Sequence, residues 1–179
     1  MNKKITILLF LLPLLLIDYS CKKANDLINF GFNIQSSFAI PPGAPINTPI
    51  DLPSFPMDYN SAQTFENHDT RADLVKKITL EYMKLNITSP AGEDFSFLKD
   101  VELRLAKDGM DDLLVAWKYN ISDSIGTELS MDVTDQPLDA YLKSDGSKMK
   151  LHVTTDKLTT KEIDVSSDIR IRVTANLFK

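Results

Sequence analysis

The fold class is decided by residues 101–119, which read Val-Glu-Leu-Arg-Leu-Ala-Lys-Asp-Gly-Met-Asp-Asp-Leu-Leu-Val-Ala-Trp-Lys-Tyr. Apolar side chains occupy every second position in the first half of this stretch, and charged ones lie between them. A period of two is typical of a β-strand with one buried face, and Asp-Gly is a common hairpin turn. The stretch therefore predicts two antiparallel strands, the second burying Leu113, Val115, Trp117 and Tyr119.

The same alternation recurs along most of the chain. It is present at residues 30–34, 78–87, 129–133, 149–153 and 163–173. The apolar parity changes between Leu80 and Met83, which predicts either a bulge within one long strand or a strand buried on both faces. We expect an all-β fold, an antiparallel β-sandwich of about eight strands with one or two short helices. A closed β-barrel is the competing architecture, and no sustained helical period supports a helical bundle.

Two segments interrupt the alternation. Six of the nine prolines fall in residues 41–56, and the apolar residues among them predict an edge segment lying on the domain rather than a solvated linker. Residues 61–77 are more polar, and Thr70 with Asp73 resembles the capping pattern of a short helix. A further helical turn is predicted at residues 137–142.

Composition limits the classes of function. The 179 residues are 43% hydrophobic and 25% charged, as in ordinary globular proteins. The net charge is -5, and no cluster of Lys and Arg occurs outside the extreme N-terminus. Nucleic acid is therefore not expected as a partner, because phosphate binding needs a concentrated positive field.

The N-terminus differs from the rest of the chain. Lys3 and Lys4 precede an apolar run at residues 5–17. As a helix this run would span about 20 Å, which is shorter than the roughly 30 Å hydrocarbon core of a bilayer. We therefore predict a secretory signal peptide over residues 1–20 rather than a membrane span.

The single cysteine, Cys21, follows this segment directly after Ser20. The sequence resembles a bacterial lipoprotein precursor, in which a small residue precedes a cysteine that is acylated and becomes the new N-terminus. Asp18 and Tyr19 depart from the usual aliphatic and small residues, as in the looser lipoboxes familiar among Bacteroidota. The resemblance implies cleavage after Ser20, lipidation at Cys21, a tether over residues 21–27 and a sandwich domain over residues 28–179. The alternative is a soluble secreted protein whose cysteine falls near the cleavage site.

The resemblance also implies a location. Lys22 follows the cysteine, in place of the Asp that retains enterobacterial lipoproteins in the inner membrane. An outer-membrane lipoprotein, attached by the acyl chains on Cys21, is favoured, and either face of that membrane fits. Residues 85–103 and 138–143 also look like Bacteroidota lipoproteins with a sandwich-type domain.

Few residues carry catalytic chemistry. His68 and His152 are far apart in the sequence, and His152 is out of phase with its apolar neighbours, which predicts an exposed side chain on a strand. Zinc-ligand spacing, Gly-x-Ser-x-Gly and phosphate-binding glycine loops are missing from the sequence. We therefore predict no catalytic residues, no cofactor and no enzymatic activity.

Carboxylates offer two weaker hypotheses. A glycosidase would need a pair at a defined separation, and the candidates are Glu93-Asp94, Asp108 with Asp111-Asp112, Asp132 with Asp135, and Asp164 with Asp168. The loop with Asp108, Asp111 and Asp112 is also the best candidate for Ca²⁺, although it lacks the full EF-hand spacing. A simple hairpin turn is the favoured interpretation of that loop.

Exposed aromatic residues are another way in which a sandwich binds ligands. Tyr59, Phe65 and Phe95 lie in predicted loops and are expected to be accessible, whereas Trp117 and Tyr119 are expected in the core. The favoured hypothesis is a non-catalytic lipoprotein that binds an envelope protein or polysaccharide or has a structural envelope role. An anchored glycan hydrolase and a lipid-binding accessory protein are the alternatives.

Overall fold

The computed structural model describes residues 27–57 and 59–178. The predicted signal peptide, Ser20, Cys21 and most of the tether lie outside these residues. Ten strands are present in the described part of the chain: β1 (Leu27–Ile40), β2 (Ile50–Asp51), β3 (Phe55–Pro56), β4 (Val75–Ser89), β5 (Leu98–Ala106), β6 (Leu113–Lys118), β7 (Glu128–Ser130), β8 (Asp132–Val133), β9 (Lys148–Thr155) and β10 (Ile163–Asn176). The helices are α1 (Ser61–Glu66) and α2 (Asp139–Leu142), with single 3-10 turns at Ala72–Leu74 and Phe95–Phe97.

The strands form two separate antiparallel sheets. Sheet A has the order β1-β10-β4-β7. Sheet B has the order β2-β9-β5-β6-β8, and β3 also pairs with β9. The predicted β-sandwich is thus confirmed, and the chain does not form the competing closed barrel. The strand number exceeds the expected eight because β2, β3 and β8 have only two residues each.

The core lies between the two sheets and follows the alternation of the sequence. In β10, every odd-numbered residue from Ile163 to Ala175 is buried, and the even-numbered ones are partly or fully exposed. Leu103 and Leu151 are cross-strand partners in sheet B and are also fully buried. Burial of such side chains contributes about 1.5–3 kcal/mol each, so the pattern itself fixes which face turns inward.

The proline-rich segment closes one side of the sandwich. It contributes β2 and β3, which pair with β9 at the edge of sheet B. Leu52 is buried, and Phe55 stacks against Phe38 of β1 with ring centroids 6.0 Å apart. The predicted edge segment is therefore confirmed, with Ile46 exposed at its start.

Five register shifts occur in the described sheets, three in the β4–β10 pair and one each in the β5–β6 and β5–β9 pairs, and two of them bear on the sequence predictions. In β4, Leu80 pairs with Ile171 and Tyr82 with Arg170, so that Glu81 is the inserted residue. Of the two alternatives predicted for this strand, the bulge is the one that forms. In β6, Leu114 pairs with Arg104 and Ala116 with Leu103, so that Val115 is inserted there. The second bulge was not predicted, and it reverses the faces of the residues that follow it.

The first helix forms earlier than predicted. Helix α1 begins after Asn60, whose side chain accepts a hydrogen bond from the Gln63 N–H. Thr70 does not cap a helix; its hydroxyl donates to the carbonyl of Asn176 at 2.7 Å. The prediction at Thr70 and Asp73 is therefore wrong, because the local capping pattern loses to a tertiary hydrogen bond. The predicted turn at residues 137–142 is confirmed as α2.

Helix α2 joins the two sheets at one end of the sandwich. On the sheet A side, its flanking Leu138 N–H donates to the Ile78 carbonyl of β4 at 2.8 Å. On the sheet B side, the Lys107 ammonium donates to the Tyr141 carbonyl at 2.9 Å and to the carbonyl and hydroxyl of Ser144 at 3.1 and 2.8 Å. The β5–β6 turn is thus attached to α2.

Among the described residues, no helix has the length and apolar character needed to cross a bilayer.

Candidate functional site

A row of five side chains crosses the outer face of sheet B. Cross-strand pairing places them side by side in the order Asp51 (β2), His152 (β9), Glu102 (β5), Trp117 (β6) and Asp132 (β8). Directly opposite residues on one face have Cβ atoms about 5 Å apart, so the row is continuous. It brings together acidic, basic and aromatic groups from five strands.

The first pair in the row is Asp51 with His152. His152 Nδ1 faces Asp51 Oδ1 in an ion-pair contact. The other ring nitrogen, Nε2, is buried and has no hydrogen-bond partner in the described part of the chain. A carboxylate at Nδ1 keeps a proton there, which leaves Nε2 of a neutral imidazole as an acceptor. The His152 side chain is 29% exposed, so it faces outward as predicted but is partly covered.

Glu102 is held by two neighbours. Arg104 donates to Glu102 Oε2 from Nη2 at 2.8 Å and from Nε at 3.2 Å, and the Tyr119 hydroxyl donates to Oε1 at 2.7 Å. The Tyr119 hydrogen bond, followed by Arg104, lowers the pKa of Glu102 below its usual range, against the effect of burial. The same hydrogen bond raises the pKa of Tyr119. Glu102 is therefore a fixed carboxylate at neutral pH, which does not suit a proton donor.

Two members of the row, Glu102 and His152, line an open cleft of about 480 Å³ on the surface of sheet B, and Trp117 lies beside Glu102 outside its lining. Its walls come from β5, β9, the end of β6 and the proline-rich segment. The lining residues are Pro49, Asp100, Val101, Glu102, Arg104, Tyr119, His152 and Thr154. Tyr119 is 43% exposed at one end of the cleft. The surface offers hydrogen-bond donors, acceptors and an aromatic ring to a ligand that lies across the strands.

The charged groups of this face are mostly held by neighbours, and its carboxylates outnumber its cations. Asp51 faces His152, Glu102 is paired with Arg104, and Asp100 accepts a hydrogen bond from the Asn120 N–H at 2.9 Å. A neutral ligand that carries many hydroxyl groups fits such a surface better than an anionic one, because the face offers hydrogen-bonding groups but no excess of positive charge. His152 Nε2 makes no hydrogen bond to a hydroxyl of the described residues, so the pair with Asp51 is not joined to a nucleophile as in a Ser-His-Asp triad.

The acidic hairpin loop is held by protein groups. Asp112 pairs with Lys150 at 2.7 Å, and the Asp111 carbonyl accepts a hydrogen bond from the Tyr141 hydroxyl at 2.6 Å. Gly109 has a φ of +79°, which suits a turn. No group of three or more metal-ligating side chains is assembled in the described residues, so Asp108, Asp111 and Asp112 do not converge there.

The other carboxylate candidates are dispersed. Asp94 accepts a hydrogen bond from the Ser96 N–H and begins a 3-10 turn, and Asp132 pairs with Lys118 at 3.3 Å. Asp168 lies on the outer face of sheet A, where it accepts hydrogen bonds from Asn33 and Tyr82. These interactions are structural, and Asp132 alone belongs to the row on sheet B.

The aromatic predictions were wrong at most positions. Trp117 and Tyr119 were expected in the core, but the bulge at Val115 turns Trp117 to the outer face, opposite Glu102, and Tyr119 is exposed. Conversely, Phe65 and Phe95 were expected to be accessible and are fully buried.

Tyr59, also expected to be accessible, is partly buried and stacks on Phe32 with centroids 5.0 Å apart. Its hydroxyl is buried without a hydrogen-bond partner among the described residues, and burial raises its pKa.

Comparison with known proteins adds little. No protein-family model matches the chain. No curated relative matches it. Among solved structures, it is similar to a chain of the infectious bursal disease virus Gx strain, with 12% identity and a TM-score of 0.36 over 84% of this chain and 32% of the viral one. The chain thus spans about a third of that viral protein.

The chain is also similar to a BFDV capsid protein, solved as a decamer and as a 60-mer. The identity is 10% to both, with TM-scores of 0.37 and 0.39. The alignments cover 84% and 85% of this chain and 99% and 94% of the capsid chains. Likeness at this level carries no information about function.

Proposed function

We propose that the protein is a non-catalytic, acyl-anchored lipoprotein of a bacterial outer membrane that binds a hydroxyl-rich polysaccharide on the outer face of sheet B, along the row and the adjoining cleft. Acylation at Cys21 follows from the lipobox resemblance. Each buried methylene contributes about 0.8 kcal/mol, so two or three acyl chains hold a small domain at a bilayer. The sandwich then serves as the binding body.

The observation that carries the binding proposal is the row from Asp51 to Asp132 on the outer face of sheet B. Trp117 and Tyr119 are amphipathic rings suited to the C–H faces of sugars. Glu102 and Arg104 supply acceptors and donors whose charges already balance each other. This combination favours a neutral polyol over a nucleic acid or an anionic lipid headgroup.

Binding is tested with the full chain purified in mild detergent and immobilised polysaccharides of bacterial and host origin. Trp117→Ala and Tyr119→Phe should each weaken binding, Trp117→Ala by about tenfold, as expected for loss of an aromatic platform. Tyr82→Phe is the matched control, because it also removes a hydroxyl that donates to a carboxylate, but on the outer face of sheet A. Equal loss in Tyr82→Phe and Tyr119→Phe, or no binding to any polymer, would contradict the proposal.

A hydrolase is distinguished from a binder by assaying the same polymers for new reducing ends. The contact between Asp51 and His152 is the feature that favours the hydrolase. We expect binding without turnover, and product that disappears in His152→Ala would refute the non-catalytic assignment. The lipid-binding alternative has its own test, since native mass spectrometry would detect a co-purified lipid, for which the apolar groove lined by Phe38, Phe55, Pro41 and Pro53 is the candidate site.

The anchor is tested by metabolic labelling with a fatty-acid analogue. We expect label on the wild type and none on Cys21→Ala, together with release of the variant from the membrane fraction. Membrane retention of Cys21→Ala to the same extent as wild type would contradict the proposed location.

A further inference from the structure

The outer side of strand β1 is an unpaired sheet edge. All 14 residues of β1 pair with β10 in an uninterrupted register, from Leu27 opposite Asn176 to Ile40 opposite Ile163. Within residues 27–57 and 59–178, β1 pairs with no other strand. Its second row of backbone N–H and C=O groups is therefore available for pairing.

The opposite edge of sheet A is covered. Strand β7 pairs with β4 at residues 84–86, and the Met131 N–H donates to the Met83 carbonyl at 3.0 Å. Further along β4, the Ile78 N–H donates to the Asp139 carboxylate, and the Ile78 carbonyl accepts from Leu138. These contacts occupy the hydrogen-bonding groups that a new strand would need on this side.

The edges of sheet B are short. Strands β2, β3 and β8 have two residues each, and prolines at positions 49, 53 and 56 lie in or beside the first two. Proline lacks an N–H and a two-residue strand offers few groups, so both features discourage strand addition. Of the edges in the described chain, β1 alone offers a long template.

Strand β1 lacks the features that normally protect an edge. Its sequence, Leu-Ile-Asn-Phe-Gly-Phe-Asn-Ile-Gln-Ser-Ser-Phe-Ala-Ile, contains no charged residue and no proline, and its register contains no bulge. Phe30, Phe32 and Phe38 face inward yet are only partly buried. A strand laid along this edge would cover these rings further.

We propose that β1 pairs antiparallel with β1 of a second copy of this chain, about a two-fold axis near the middle of the strand. The two sheets A then join into one continuous sheet of eight strands. Self-pairing of this kind can place inward-facing residues against inward-facing ones, as an isologous interface requires. Because β1 is uncharged, no like charges meet across the axis.

The size of the interface is adequate. An antiparallel ladder makes on average about one hydrogen bond per residue pair, so a register that pairs about 11 to 13 residues with like faces together gives roughly 11 to 13 bonds. That number is similar to the roughly ten hydrogen bonds of a typical protein interface.

A segment of the same chain is a poorer occupant. If Cys21 is the mature N-terminus, only residues 21–26 precede β1. Six extended residues reach about 20 Å, whereas β1 is about 48 Å long. The short length of the N-terminal segment rests on the proposed processing at Cys21, whereas the exposed edge of β1 does not depend on that processing.

The test introduces matched charges on the outward face of β1. Gln35→Lys/Ser37→Lys and Gln35→Glu/Ser37→Glu each place like charges close together across the two-fold axis. The full chain is purified in mild detergent, and its oligomeric state is measured by native mass spectrometry at micromolar concentrations. Ser130→Lys is the control, because it adds a lysine to β7 at the opposite edge of the same sheet. Circular dichroism checks that every variant keeps its β structure.

We expect the wild type and Ser130→Lys to be dimers. Each double variant alone should raise the dimer dissociation constant by at least about tenfold, and an equimolar mixture of the two should recover the dimer. A monomeric wild type would overturn the proposal, as would dimers of both double variants, which would place the interface elsewhere. A monomer carrying an extended peptide from another protein would also overturn it. The equimolar mixture also distinguishes a disrupted interface from misfolding, because combining the lysine and glutamate variants can restore a dimer lost through charge repulsion but cannot refold a misfolded protein.

Discussion

Replacing Lys107 by methionine is expected to lower the free energy of unfolding by about 1.5 kcal/mol. The Lys107 ammonium attaches the β5–β6 turn to α2 beside the hydrogen bond from the Tyr141 hydroxyl to the Asp111 carbonyl, and it donates to three oxygens of Tyr141 and Ser144 at 2.8–3.1 Å. Methionine keeps the length and apolar stem of lysine but removes every donor. The turn and the helix would therefore remain in contact without this attachment.

The magnitude follows from what happens to the three oxygens. A hydrogen bond to a charged group contributes about 1.5–3 kcal/mol, and a buried acceptor left unpaired costs more. The Tyr141 carbonyl keeps a second donor, the Ser147 hydroxyl at 2.6 Å, and Ser144 is exposed enough to be hydrated. The loss of unfolding free energy for all three hydrogen bonds together should consequently lie near about 1.5 kcal/mol, the lower end of the range for one charged hydrogen bond.

The assay is thermal and chemical unfolding followed by circular dichroism. A change of this size should lower the Tm by about 3–6 °C in a domain of this length. Lys148→Met is the matched control, because Lys148 is exposed at the first position of β9. Calcium should leave the Tm of both proteins unchanged if the loop is held by Lys107 and Tyr141. A Lys107→Met protein as stable as the control, or one that only calcium stabilises, would refute this reasoning.

Two further substitutions test hydrogen bonds on the outer faces. Tyr119→Phe removes the hydroxyl that donates to Glu102. In wild type the folded pKa of Tyr119 is raised, so this hydroxyl stabilises the fold fully below the unfolded pKa of tyrosine, about 10, and its contribution is lost at higher pH. Unfolding midpoints should fall more steeply above pH 10 in wild type than in Tyr119→Phe, and parallel curves would contradict the assignment. In Gly31→Ala, the new Cβ would lie 2.8 Å from the Arg170 guanidinium. Displacement of Arg170 should lower the Tm relative to Gly126→Ala, which has open space; equal values would show that Arg170 moves freely.

The sequence predicted the fold where polar and apolar residues alternate clearly. The bulge in β4 was also predictable, because Leu80 and Met83 have opposite parity with polar residues beside them. The bulge in β6 was not predictable, because residues 113–117 are all apolar and their pattern does not indicate which side chains face the core. Only the register against β5 reveals that Val115 is the extra residue.

The candidate site depended on that bulge. Regular alternation through β6 would have placed Trp117 and Tyr119 in the core, and the row on sheet B would then have had no aromatic member. His152 was correctly placed on the outer face, yet its contact with Asp51 joins residues about a hundred positions apart. Such a pairing depends on strand order, and a local pattern contains no information about it.

The position of β10 has a consequence for how the protein matures. This final strand of the described chain is the central support of sheet A, bonded on one side to β1 and on the other to β4. While the polypeptide emerges from the ribosome or threads through a translocation channel, its first strand has no partner until the last has followed. Folding of sheet A is thereby postponed until residues 163–176 have been made, and a chain truncated before residue 163 would be left as substrate for quality-control proteases rather than as a smaller working domain.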